Sequence, residues 1–232
     1  MTPFFFEENL ALSEEFILNE DSSRHLTQVL RMKEGDQVTI TNGKGQTSTA
    51  EIIFPDKKKT KVKVIQHKFS KRPSPITAIA ISLIKNTNRF EWFVEKATEI
   101  GISSIIPLIC KRSEKTHFKI ERITSILKSA MLQSQQSWLP EISEPVKFYD
   151  FIVSNNYDQK FIAHCLPEQK SELRNSVQSN SSKIILIGPE GDFTEEEIDK
   201  AIEKNYVPVS LGETRLRTET AGIVAAVLLV QS

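Results

Sequence analysis

The chain has 232 residues, of which 39% are hydrophobic, enough to build one large core or two smaller ones. Its 30 lysines and arginines balance 30 aspartates and glutamates, which excludes a protein that coats nucleic acid through bulk positive charge. Any nucleic-acid contact must come from a local patch, and with Cys110 and Cys165 far apart and in no CxxC pair, reduced thiols are expected.

The opening MTPFFFEENL sets Glu7 and Glu8 just after a run of phenylalanines, unlike the basic start and longer apolar stretch of a signal peptide. No segment approaches a membrane span, so a soluble, cytoplasmic protein is expected. Ser22 to Leu30 predicts a short helix with Leu26, Val29 and Leu30 on one face. Gln37 to Thr41 alternates Val38 and Ile40 with polar neighbours, and Asn42-Gly43-Lys44-Gly45 is strong turn chemistry. Further strands are expected at 49–54 and 61–65, giving a small β-barrel. From Lys57 to Arg72 every charged residue is basic, and Pro73-Ser74-Pro75 then restricts the backbone. A domain boundary is placed there, dividing the chain into 1–72 and 73–232.

Beyond it the pattern changes. ITAIAISL (76–83) is a nearly continuous apolar run, as expected for a strand covered on both faces. Phe90, Phe93, Val94, Ala97 and Ile100 follow at helical spacing, with Gly101 as the stop. Strands are predicted at 105–109, 160–164, 183–187 and 207–211, and helices at 119–135, 195–204 and 219–230. This alternation predicts an α/β domain with a mostly parallel sheet.

In such a sheet, ligands bind beyond the carboxyl ends of the strands. Two of these ends stand out. IILIGPEGDFTEEEI runs a strand into Gly188-Pro189-Glu190-Gly191 and then a helix, whose start is fixed by a Thr194/Glu197 capping box. PVSLGETRLRTETAGIVAA ends a strand at Leu211-Gly212 and leads through Arg215, Arg217 and Glu219 into the last helix. Turn-making alone would account for glycines 188, 191 and 212, but two adjacent strand ends with such loops also make a pocket walled by main-chain groups. His164, at a strand end, either lines that pocket or is a satisfied core histidine. The sequence has no G-x-G-x-x-G after a strand, no phosphate-binding P-loop, no metal-ligand spacing among the histidines and cysteines, and no nucleophile elbow.

These two loops, IGPEGDFTEEEI and LGETRLRTETAGI, resemble the methyl-donor end of the SPOUT methyltransferases. Within these the chain is similar to the ribosomal RNA small subunit methyltransferase E family, which methylates N3 of a uridine in 16S rRNA. SSRHLTQVLRMKEGD (22–36), RFEWFVEKATEIGISSIIPL (89–108), Arg112-Ser113, Gln133-Ser134 and Pro140 carry the resemblance along nearly the whole chain. It implies a PUA-like RNA-binding barrel, a SPOUT domain with a deep trefoil knot, a homodimer, and S-adenosylmethionine as cofactor, with 16S rRNA or the small ribosomal subunit as partner and no metal. By motif position, Leu186, Gly188, Glu190 and Gly191 line the first cofactor loop, and Leu211, Gly212, Leu216, Arg217 and Thr218 the second. Arg24, Arg31, Lys85, Arg89 and Arg112 become RNA-binding candidates, joined on grounds of charge by the 57–72 run. Asp192 stands where the family usually has a glycine.

Uracil N3 carries a proton at neutral pH, and a nearby guanidinium favours the anion. Arg217 is the candidate for that catalytic role; the alternative is an ion pair with Glu219 or Glu190 that fixes the loop. Lys57 to Lys63 read equally well as an RNA contact and as a lysine-rich strand edge that resists aggregation. Two rival functions are a non-catalytic RNA-binding or ribosome-assembly factor on the same scaffold, and an unrelated nucleotide-binding enzyme.

Overall fold

The computed structural model describes residues 2–10, 14–167 and 170–231. The chain forms two compact units, Met1–Arg72 with Met131–Leu139, and Pro73–Ala130 with Pro140–Ser232. The return of residues 131–139 to the first unit has no signal in the sequence.

The first unit holds β1 (Phe4–Phe6), β2 (Glu15–Ile17), α1 (Glu20–Arg24), β3 (Gln37–Thr41), β4 (Gln46–Phe54) and β5 (Lys61–Phe69). These strands make one sheet in the order β1-β3-β4-β5-β2. Alternation along β4 buries Gln46, Ser48, Ala50 and Ile52. The core adds Phe5, Leu18, Leu26, Val38, Ile40 and Val62. The sheet curls until its edges meet, and side chains make that junction: Asn19 Nδ2 donates to the Phe6 carbonyl at 3.2 Å and to Glu7 Oε1 at 2.8 Å. The expected helix over 22–30 is instead α1 running into a π-helical turn at His25–Val29. Thr27 Oγ1 donates to the Ser23 carbonyl within it.

In the second unit the elements are β6 (Thr77–Ser82), α2 (Thr87–Ile100), β7 (Ser104–Ile109), α3 (Ile120–Gln133, which ends in the first unit), β8 (Glu141–Ile142), β9 (Val146–Lys147) and α4 (Phe148–Ser154). They continue with β10 (Gln159–Ala163), β11 (Ser171–Glu172), α5 (Leu173–Ser176), β12 (Lys183–Ile187), α6 (Glu195–Glu203), β13 (Val207–Ser210) and α7 (Thr218–Val230). The sheet order is β11-β13-β10-β12-β6-β7-β8, with β9 also on β7, and every pairing is parallel. All residues of β6 and β12 are buried, because helices cover both faces of a parallel sheet. In α2, Thr98 takes the buried position that periodicity assigns to Ile100; its hydroxyl is satisfied by the Val94 carbonyl at 2.7 Å. Gly101, at φ 101°, ends the helix in the left-handed conformation that glycine adopts without strain. Among the described residues no helix is long and apolar enough to cross a membrane.

Residues 131–139 reach the first unit at the β3–β4 turn. Gly45 N–H donates to the Ser137 carbonyl and the Gly45 carbonyl accepts from Ser70 N–H, both at 2.8 Å. Trp138 Nε1 donates to the Ser70 carbonyl at 3.1 Å. A Cβ on Gly45 would lie 2.6 Å from both the Ser70 carbonyl oxygen and the Trp138 ring, at a φ of +85°. Gly45→Ala therefore combines overpacking with left-handed strain and is expected to destabilise the protein by about 2–3 kcal/mol. Urea unfolding followed by Trp fluorescence measures this; a change under about 0.5 kcal/mol would contradict the packing described.

Candidate functional site

A cavity of about 820 Å³ opens at the carboxyl ends of three strands, β12, β10 and β13. The sequence suggests that β12 and β13 are neighbours, and this is corrected by the sheet order: β10 lies between them. The loops after β12 and β13 therefore flank the end of β10, whose Ala163, His164 and Cys165 form the wall between them. Gly188, Pro189 and Glu190 enter from the first loop, and residues 211–218 from the second. The volume falls within the range of pockets that enclose a small organic ligand.

The first loop is held from several sides. Asp192 sits at φ 63°, a left-handed conformation that accounts for the glycine usual there in the resembling family. Aspartate tolerates it and gains hydrogen bonds: Oδ1 accepts from Phe193 N–H at 2.8 Å and Oδ2 from Cys165 N–H at 2.7 Å. One side chain thus ties the end of β10 to the loop after β12. At 188 a Cβ would lie 3.1 Å from Phe193, closer than ordinary van der Waals contact, so glycine lets Phe193 pack tightly against the loop.

Behind the loop, Thr194 and Glu197 form the expected capping box. Glu197 is fully buried. Its Oε2 accepts from Thr194 N–H at 2.9 Å, while Oε1 accepts from Lys111 N–H at 2.8 Å, which ties the loop after β7 to α6. Arg112 in that loop donates from Nη1 to the Gly191 carbonyl at 2.7 Å. Lys85 N–H donates to Glu190 Oε1 at 3.2 Å, and Lys85 Nζ pairs with Glu114 at 2.7 Å. The backbone segments after β6, β7 and β12 thus brace one another.

Within the second loop, Gly212 adopts φ 134°, which L-residues rarely adopt. Arg217 is the exposed N-cap residue of α7, and its carbonyl accepts from Ala221 N–H at 2.7 Å. Neither ion pair considered for Arg217 is formed: Glu219 faces Arg89, and Glu190 accepts from Lys85.

Of the cofactor candidates, the structure brings Gly188, Glu190, Leu211, Gly212, Leu216, Arg217 and Thr218 to the cavity. Leu186 points the other way into the core, fully buried, and Ile187 lines the wall in its place because side chains alternate along a strand. Gly191 is not part of the lining and engages Arg112 through its carbonyl. Of the RNA candidates, Arg89 lines the cavity, while Lys85 and Arg112 are engaged with the first loop and its neighbours. Arg24 pairs with Glu20 at 2.6 Å, and Arg31 sits exposed at φ 55°; both belong to the first unit. Sequence reasoning missed Ala163, Cys165 and Lys170. Lys170 Nζ donates to the His164 and Leu166 carbonyls at 2.6 and 2.8 Å. Only the position of Cys165 just past a strand end marks it in the sequence. Burial, and then Asp192, push its thiol pKa up. Cys110, sealed in the core, is pushed up to about 12 by desolvation.

Replacing Asp192 separates the two jobs of that residue. Asp192→Ala loses both acceptors and keeps the strain, and is expected to cost about 2–3 kcal/mol. Asp192→Gly loses the acceptors but relieves the strain, so it should unfold at a higher temperature than the alanine variant. Equal or reversed melting temperatures would show that backbone conformation is not what selects the residue there.

Residues 70–230 match the family described as "RNA methyltransferase domain", and residues 18–65 the "RNA methyltransferase PUA domain". The ribosomal RNA small subunit methyltransferase E of Bacillus subtilis is 30% identical over 223 residues, covering 90% of this chain and 87% of its own. Among solved structures, the probable rRNA-methyltransferase of Porphyromonas gingivalis superposes with a TM-score of 0.90 at 34% identity, covering 97% of this chain and 95% of that one. The small subunit methyltransferase E of Neisseria gonorrhoeae, solved bound to S-adenosyl methionine, gives 0.86 at 26% identity, with coverage of 97% and 95%. A parallel α/β domain ending in this two-loop cavity and matched along nearly its full length to these relatives belongs to the ribosomal RNA small subunit methyltransferase E family.

Proposed function

We propose that the chain transfers a methyl group from S-adenosylmethionine to N3 of a uridine in 16S rRNA, with the rRNA or the small ribosomal subunit as its partner. The observation that carries this reading is the single cavity flanked by the GPEGD and LGETRLRT loops. Its walls suit the cofactor. Ala163, Ile187, Val209 and Leu211 offer apolar contact for a purine, and backbone around Gly188 and Gly212 supplies donors and acceptors. Arg215, Arg217 and Lys170 line the same cavity as Glu190, Asp192 and Glu213, a mixed charge set that matches a ligand with both a carboxylate and cationic groups. The bound cofactor supplies an electrophilic methyl carbon on a sulfonium.

The protein's part is positioning and charge. Leu186, Gly188, Glu190, Gly191, Leu211, Gly212, Leu216, Arg217 and Thr218 make the cofactor site, with Leu186 and Gly191 acting from behind the lining. Arg217, exposed at the cavity, favours the uracil N3 anion. Residues 1–72 serve as a PUA-like RNA-binding domain and 73–232 as the SPOUT domain. In the first, Asp56 Oδ1 accepts from Lys58 and Lys59 N–H at 2.8 and 2.9 Å, shaping a turn that exposes three lysines, Lys57 to Lys59. Arg24, Arg31, Lys85, Arg89 and Arg112 complete the RNA candidates. A trefoil knot through the two loops and a homodimer complete the reading. From Ala221 onward α7 is apolar around its whole circumference, and Ile223, Val224, Val227 and Leu228 are only partly covered, as a helix at a subunit interface requires. The enzyme acts in the cytoplasm.

Titration calorimetry is expected to show one S-adenosylmethionine per chain, and the protein should methylate a uridine of 16S rRNA, located by mapping the modified nucleotide. Arg217→Ala should cut turnover by roughly 10²-fold while cofactor affinity changes less. Binding without any turnover on rRNA or small subunits would point to an assembly factor instead. Changing Lys57, Lys58 and Lys59 to Gln should lower the slope of log affinity for rRNA against log salt by about 2, and an unchanged slope would return those lysines to the role of edge protection.

A further inference from the structure

The pair Arg89–Glu219 has a geometry that loop fixing does not explain. α2 and α7 cross closely because residue 222 has no side chain: a Cβ there would lie 2.5 Å from Phe93 and 3.0 Å from Ile81. Phe93 follows Arg89 by about one turn of α2, and Gly222 follows Glu219 by about one turn of α7. The close crossing therefore sets Arg89 opposite Glu219, with Nε 3.6 Å from Oε1, longer than a hydrogen bond. The Glu219 side chain is only 9% exposed, and its Oε2 has no hydrogen-bond partner. A buried carboxylate left in that condition is costly, and the cationic group beside it is the one that lines the cavity.

Resting on the uridine-N3 reading above, we propose that Arg89 is a second catalytic guanidinium, which favours the N3 anion together with Arg217, and that Glu219 is the positioning residue that holds it at the cavity wall. In the step, the N3–H proton leaves to solvent at the cavity mouth. The N3 electron pair then forms the bond to the methyl carbon, and the electrons of the breaking C–S bond neutralise the sulfur. The Arg89 guanidinium stabilises the charge on the base. Glu219 works through Arg89, like a carboxylate that orients a catalytic group without touching substrate.

The other charged or titratable residues on this cavity are His164, Cys165, Lys170, Glu190, Asp192, Glu213, Arg215 and Arg217. All stay in place in variants of Arg89 or Glu219, so a change in pH dependence reports on the pair. The test is the pH profile of kcat for the full-length protein on rRNA, with S-adenosylmethionine affinity measured separately by calorimetry. In Arg89→Ala and in Glu219→Gln the rising limb should move to higher pH by about 1 unit, since loss of a nearby positive charge returns the N3 proton toward its unassisted affinity. Cofactor affinity should stay within about three-fold, Arg89→Lys should recover part of the shift, and the double variant should be no worse than the worse single one. A wild-type profile in Arg89→Ala overturns the proposal; a shift there with none in Glu219→Gln overturns the positioning role. The Arg89 side chain is partly exposed, so its variants carry the test even if Glu219→Gln does not fold. Wild-type turnover in the same assay reports on the uridine-N3 reading itself, so the two failures are distinguishable.

Discussion

A fully buried carboxylate, Glu197, is the interaction on which the site depends. It closes the start of α6, accepts from Thr194 and from Lys111, and so joins the loop after β12 to the loop after β7. Hydrogen bonds to a charged group contribute about 1.5–3 kcal/mol each, and removing such a carboxylate would take the acceptor from both Thr194 N–H and Lys111 N–H. Everything on the cavity side of the first loop inherits its position from this anchor: Glu190 against Lys85, Gly191 against Arg112, and Asp192 against the end of β10. The cavity walls are therefore held by the protein's own packing and hydrogen bonds to main-chain groups, an arrangement suited to positioning two reactants.

The same anchor changes how the charged residues around it are read. Arg112 is exposed, yet its guanidinium already serves two carbonyls, those of Gly191 and Phe193. Arg89 reaches the cavity because two helices can approach where residue 222 is glycine. Charge, in this molecule, follows from close packing more than from local sequence. A net charge of zero still allows basic side chains to converge at one cavity and on one exposed turn.

Much of the fold was legible. β3 and β12 begin and end where alternation and the apolar run predict, and the T-x-x-E signal marks the start of α6. Periodicity works there because each segment is long enough to repeat and is bounded by turn chemistry. It fails for β1, β2, β8, β9 and β11, which have only two or three residues, and for α4, whose FYDFIVS is too short and too apolar to show a face. Trp138 illustrates another limit: its place against Gly45 is a long-range contact that no local pattern encodes.

In the site, the two loops were legible because glycine and capping signals are local. The wall between them was not, because the position of β10 depends on strand order. The opposed faces of Leu186 and Ile187 show the same limit: which of two alternating residues looks outward is fixed by what packs on each side. Glu219 was visible as a charge beside an apolar helix, but its partner, Arg89, comes from an element 130 positions earlier.

The loops 188–194 and 211–218 are proposed to form one ligand site across the end of β10. Amide hydrogen exchange of the free protein and of the protein with saturating S-adenosylmethionine tests this most directly. Both loops, together with residues 163–165, should gain protection in parallel over one titration; protection confined to a single loop, or absent from all three segments, would contradict it.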